Sequence, residues 1–183
     1  MKTKCRLFGI LALALALCSC SRESQMQSPD YAFVGEWATL IAKGETDESR
    51  QILLTVVQGR TDEDMSLISS GAVAFLVLNA PPAGDGALAS GVYKASSEGK
   101  RAYTLNYGLK KDGEFFDGSY IAVRLPGSSY TKFYPVGGGQ VSVSAGENGV
   151  YEIDAEVDAG GFFFDFEYVG SLQASFGGSL SFD

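Results

Sequence analysis

Residues 151–168, YEIDAEVDAGGFFFDFEY, alternate apolar and acidic side chains on either side of a Gly-Gly pair. Successive side chains of a strand point to opposite faces, so a period of two is the signature of a half-buried strand. Two such runs joined by a glycine turn commit this stretch to a hairpin with one dry face and one wet face. A turn over Asp158-Ala159-Gly160-Gly161 that pairs 158 with 161 sets Ala155 opposite Phe164, Ile153 opposite Phe166 and Tyr151 opposite Tyr168. The other face then pairs Glu156 with Phe163, Asp154 with Asp165 and Glu152 with Glu167. Phe162, Phe164, Phe166 and Tyr168 are expected in the core.

The preceding turn, Glu147-Asn148-Gly149, suits a three-residue loop with Gly in the left-handed position. It places Val143 opposite Ile153 and Val141 opposite Ala155, with Ser142 and Ser144 facing Asp154 and Glu152. Three strands agree on which face is apolar, and a slip of one residue would invert that agreement.

From Tyr31 onward the chain is a series of short apolar runs broken by Gly, Asn, Asp and Pro. Strands are expected near 32–42, 51–58, 72–79, 88–95, 101–110, 114–125, 131–136, 139–146, 150–158 and 161–170, with a further one near 172–182. The segment 61–70, TDEDMSLISS, is the helix candidate, with Thr61 as cap and acidic residues in the first turn. Short connections favour pairing of consecutive strands. The expected fold is all-β: an antiparallel meander of about ten strands, as a β-sandwich or a flattened calycin-like barrel. The turn at Gly84-Asp85-Gly86 shows no phosphate-binding spacing.

Six carboxylates line the polar face of the hairpin, and Glu152, Asp154, Asp165 and Glu167 are the candidate calcium ligands. Calcium takes six to eight oxygens, usually with help from loop carbonyls, whereas carbonyls here belong to the ladder. Like charges ~5 Å apart in water cost only ~0.8 kcal/mol, so a solvated acidic face is the simpler reading. Such a row also gives no reason for the split pKa values of a glycosidase pair. The chain has no histidine, which removes the commonest general base and metal ligand. We find no serine-nucleophile or nucleotide-binding motif. A non-enzymatic protein with no catalytic residues and no obligatory cofactor is expected.

The N-terminus carries Lys2, Lys4 and Arg6 ahead of an apolar run from Leu7 to Leu17, the pattern of a secretory signal. Leu17-Cys18-Ser19-Cys20 resembles the lipobox of bacterial lipoproteins. The resemblance implies cleavage before Cys20 and lipidation of its sulfur, with residues 1–19 as signal peptide, 20–30 as a lipidated tether and 31–183 as a single domain. Ser21 after the lipidated cysteine favours the outer membrane, with the domain facing the periplasm or the cell surface. Cleavage leaves 11 of the 14 Lys and Arg against all 22 Asp and Glu, a net charge of −11. That balance argues against nucleic acid and against electrostatic docking on anionic lipid. With Cys20 consumed by lipid, the domain must be held by its core rather than by disulfides, and about 160 residues suffice for one.

Three stretches, 88–99, 114–144 and 149–172, together resemble a β-rich module of uncharacterised lipoproteins from gut-dwelling Gram-negative anaerobes. Gly118-Ser119-Tyr120, Tyr134-Pro135-Val136 with Gly137 to Gly139, and Tyr151-Glu152-Ile153 carry the likeness in order. Phe33-Val34-Gly35-Glu36-Trp37 stands where the module begins. Glu156-Val157-Asp158 replaces the usual Leu-Thr-Asp. The resemblance implies one module on a tether and brings no catalytic residue or cofactor. Gly35-Glu36-Trp37 also looks like the G-x-W of lipocalins, without the late arginine those proteins pack on the tryptophan.

The expected function is a binding or structural lipoprotein, attached to the membrane through Cys20, that recognises a glycan or protein partner. The candidate contact residues are Tyr130, Phe133 and Tyr134, where rings alternate with hydroxyls. A lipocalin-like carrier of a small ligand is the alternative.

Overall fold

The computed structural model describes residues 29–82, 88–111 and 114–174. The expected signal peptide, Cys20, the expected tether up to residue 28, the expected Gly84-Asp85-Gly86 turn and the part of the expected last strand beyond residue 174 lie outside them. The strands are β1 (Tyr31–Val34), β2 (Trp37–Glu45), β3 (Arg50–Gln58), β4 (Gly71–Ala80), β5 (Gly91–Ser96) and β6 (Thr104–Asn106). They continue as β7 (Leu109–Lys111), β8 (Glu114–Asp117), β9 (Tyr120–Arg124), β10 (Lys132–Ala145), β11 (Val150–Ala159) and β12 (Phe162–Ala174).

Ten strands form one mixed sheet that wraps into a ring, and β7 and β8 form a separate hairpin. Consecutive pairs β2–β3, β3–β4, β9–β10, β10–β11 and β11–β12 are antiparallel, as short connections dictate. The fold departs from a pure meander at three parallel pairings: β1 with β12, β12 with β2, and β5 with β6. The β12–β2 pairing closes the ring. On the far side β4 and β10 are bridged by β9 at one end and by β5 and β6 at the other.

Strand β11 is buried at every second residue without exception, from Tyr151 to Ala159, so its alternation translates directly into faces. The β10–β11 register is the expected one, with Val143 opposite Ile153 and Ser142 opposite Asp154, and Gly149 is left-handed (φ 73). The β11–β12 register differs. Ala159 pairs with Phe162, Val157 with Phe164, Ala155 with Phe166 and Ile153 with Tyr168. Gly160 (φ 58) and Gly161 (φ 86) occupy the two central turn positions. A tight turn of this hand needs positive φ at both, which excludes Ala159 from the centre. The shift of two residues keeps every face and changes every partner.

Inside the ring, Ile52, Leu54, Leu76, Leu78, Tyr93, Leu105, Ile121, Ile153, Phe164 and Phe166 are fully buried. A second, smaller core lies on the outer face, where Leu53, Val57, Val73, Phe75, Val77 and Tyr120 pack with Leu67 and half-buried Trp37. Strands β3 and β4 are therefore covered on both faces, which is why their sequences are nearly continuous apolar runs. The segment 61–70 supplies part of that cover and is not helical. The Asp62 carboxylate accepts the N–H of Asp64 (3.1 Å) and of Ser66 (2.8 Å), and Met65 is left-handed (φ 63). An Asp side chain that satisfies the backbone of a tight loop competes with helix, and here the loop wins.

Several of the residues singled out for the module resemblance lie in the core, whereas Val34 and Glu152 are exposed. Tyr120, Tyr134 and Tyr151 are buried, and Ser119 is fully so. The β4–β9 ladder ends at Phe75 and the β4–β6 ladder begins at Leu78. Val77 falls between them, and its N–H is taken by the Ser119 hydroxyl.

Candidate ligand-contact groove

One end of the barrel gathers the start of β1, the Gly160-Gly161 turn, the β3–β4 loop and the β9–β10 loop. Strand β1 enters there because Asp30 clasps Phe163: its N–H donates to the Phe163 carbonyl (2.9 Å) and its carboxylate accepts the Phe163 N–H (2.8 Å). Tyr31 then stacks on Phe164 with ring centroids 4.9 Å apart, and Tyr134 meets Phe162 edge-on at 5.4 Å. The hydroxyls of Tyr31 and Tyr134 lie 3.5 Å apart. Burial, with Tyr31 next to it, pushes the Tyr134 phenol up to about 12.

The β9–β10 loop is built on Leu125-Pro126-Gly127-Ser128. Pro126 has its φ preset, Gly127 takes φ 76, and the Ser128 N–H donates to the Leu125 carbonyl at 3.0 Å, a type II turn. The Ser128 hydroxyl then donates to the Tyr130 carbonyl (2.8 Å) and accepts the Tyr130 N–H (3.2 Å), which fixes Tyr130 at the loop's edge. Arg124 holds this loop to its neighbour: Nε donates to the Ser128 carbonyl (3.1 Å) and Nη1 to the Leu67 carbonyl (2.7 Å).

Two connected depressions run across this end. One, of about 400 Å³, lies between β1 and the ends of β3, β4 and β9, with Phe33, Glu36, Gln58 and Arg124 in its walls. The other, of about 310 Å³, continues under the loop past Ser128, Tyr130, Lys132 and Tyr134. Val123, Leu125 and Pro126 line both. Volumes of this size suit a small ligand or a short segment of a larger one.

The three predicted contact residues divide. Tyr130 is 61% exposed over the groove, and Tyr134, at 8%, forms its floor. Phe133 points to the outer face, toward Tyr120 (ring centroids 6.0 Å apart), because neighbours along a strand face opposite ways. Phe162, expected in the core, is 41% exposed at the rim. The groove's other walls come from segments far apart in sequence; Glu36 lies inside the G-x-W stretch, which gives it no role, and Arg124 belongs to no motif. The Pro-Gly turn was the available local signal.

The candidate calcium ligands do not assemble in the predicted pairs. Glu152 faces Val169, Asp154 faces Glu167, and Asp165 faces Glu156, all on the exposed side of the sheet. Among the described residues no three Cys, His, Asp or Glu side chains gather into a metal-holding group. Trp37 of the G-x-W lies against the outer core.

No family model, no curated protein and no solved structure matches this chain.

Proposed function

We propose that the protein is a lipid-anchored, non-enzymatic binding module of the outer membrane that takes a glycan in the groove at the barrel end. The observation that carries this reading is the Tyr130 ring, 61% exposed beside a groove edged by Ser128, Lys132 and Arg124. An open aromatic face with the cationic Lys132 and Arg124 nearby suits the apolar face and hydroxyl rim of a sugar ring. The groove's polar groups are spread along its length, with no histidine in the chain to act as a base.

A protein partner at the cell surface remains the second occupant of the same groove. The carrier reading has less support, because the barrel interior is filled by Tyr93, Phe164, Phe166 and the aliphatic residues around them. The experiment is a glycan panel probed with wild-type protein and Tyr130→Ala. Binding by wild type that falls severalfold in the variant supports the reading, since an aromatic stacking contact is worth about 0.5–1.5 kcal/mol. Equal binding by both overturns the assignment of Tyr130. A panel with no binder overturns the glycan.

A further inference from the structure

We infer that the grooved end of the barrel faces the anchoring membrane and rests its rim, Leu125, Tyr130 and Phe162, in the bilayer interface. The inference rests on the lipid-anchored reading of Cys20 and goes beyond it by fixing which surface meets lipid.

The first ground is where the chain enters. Asp30 is fastened to Phe163, next to Phe162 at the rim. Cys20 precedes it by ten residues, which reach at most ~33–36 Å however they are arranged. Strand β12 spans 13 residues, roughly 40 Å of strand and roughly 30 Å along a barrel axis at ordinary tilt. With the grooved end pointing outward, the whole reach of the tether would be used in running back along the barrel wall. With that end pointing inward, the tether is ample.

The second ground is the contrast between the ends. At the rim, Leu125 is 47% exposed, Tyr130 61% and Phe162 41%. The loops at the opposite end, 46–49, 97–103 and 146–149, expose Asp47, Glu48, Glu98, Lys100, Arg101 and Glu147. The exposed apolar side chains there are Tyr103 and, on the strand ends beside the loops, Val92 and Val150, so the rim is set apart by its two aromatic rings. Aromatic residues are favoured at the headgroup level, where the ring is dry and its polar edge wet. Charges near the rim are of both signs with acids in excess (Arg60, Arg124 and Lys132 against Asp30, Asp62, Glu63 and Asp64), so the contact is made by the apolar side chains and gains nothing from anionic lipid. A ligand in the groove is then met at the membrane surface.

The test uses mature protein reconstituted in phosphatidylcholine vesicles carrying brominated acyl chains, with Trp37→Phe as background. Mass spectrometry first reads the acyl groups on Cys20. Tryptophan emission is then compared for Tyr130→Trp and Glu147→Trp. The expected result is acylated Cys20, with about twofold or greater quenching at position 130 and little at 147. Acylation with equal quenching, or with stronger quenching at 147, overturns the orientation and leaves the anchor standing. An unmodified Cys20 overturns the anchor and the orientation with it. Should the tryptophan variants misfold, amide exchange of the wild-type protein on vesicles decides. Slowed exchange at 125–131 with no change at 146–149 supports the docked rim, and no change at either overturns it.

Discussion

The Ser119 hydroxyl accepts the backbone N–H of Val77 at 2.9 Å, with both residues sealed from solvent. It closes the gap in the barrel where β4 passes from β9 to β6. The carbonyl of the same residue accepts the Val136 N–H at 3.0 Å, so Ser119 joins β4 to β10 across the seam. Ser119→Ala would strand a buried N–H, which costs about 1–3 kcal/mol. Urea unfolding should show a lower midpoint at unchanged slope. An unaltered midpoint would mean that water fills the seam.

The Gly160-Gly161 turn makes a second stability prediction. A side chain at Gly161 would meet open space, so only its positive φ opposes substitution. Gly161→Ala should cost about 1–2 kcal/mol, and Gly161→Asn distinctly less, because Asn tolerates the left-handed region. Thermal melts of the two variants read this order directly; equal losses would point to a contact rather than to φ.

What was legible in the sequence follows from how far each signal reaches. Period-two alternation is local and strong, so the faces of β10, β11 and β12 and the core roles of Phe164, Phe166 and Tyr168 could be read. Register depends on which residues hold the turn's positive φ values, and placing Ala159 there moved every partner by two. Strand pairings such as β4 with β9 or β12 with β2 join residues tens of positions apart, which no local pattern announces. The groove shares that difficulty: Tyr31, Gln58 and Arg124 meet only after the ring closes. Gly35 and Glu36 break the first expected strand into β1 and β2, as Gly35 donates to the Glu167 carbonyl and Glu36 to the Val57 carbonyl. The chain thus pairs with β12 alone in β1 and with both β12 and β3 in β2, and Glu36 at the break lines the groove.

Arg124 ties the β9–β10 loop to the β3–β4 loop through two backbone carbonyls. Hydrogen bonds from a charged donor contribute about 1.5–3 kcal/mol each at most, and these are half-buried. Arg124→Leu should lower stability by about 1–3 kcal/mol and weaken groove binding even with Tyr130 intact. Arg124→Lys, lacking the planar fork, should recover only part of either. A variant with lost binding and unchanged stability would assign Arg124 to the ligand rather than to the loops.

Alkaline stability has a definite sign. Burial raises the phenol pKa values of Tyr93, Tyr120 and Tyr168, and raises that of Tyr134 to about 12. Above about pH 10 the unfolded chain has released protons that the folded chain retains. Stability is therefore complete below pH 10 and falls as pH rises, by about 1.4 kcal/mol per pH unit for each such tyrosine until its folded pKa is passed. Denaturation followed between pH 9 and pH 12 should show this decline, with a shallower slope in Tyr134→Phe. A flat profile across that window would mean that these phenols ionise in the folded protein as they do in water.

The acidic face of β11 and β12 calls for a comparison of salts. Asp154 stands opposite Glu167 and Glu156 opposite Asp165, so like charges face each other across the hairpin. Such pairs are mildly destabilising, and ions that screen them relieve the repulsion whatever their identity. Sodium, magnesium and calcium chlorides at equal ionic strength should therefore raise Tm by similar small amounts, and Asp154→Asn should remove part of the response. A bound ion behaves differently, because it stabilises in proportion to the logarithm of its concentration over its dissociation constant. A calcium response several degrees beyond that of magnesium, abolished by EDTA, would show that these carboxylates close around an ion after all. The registered pairs predict screening.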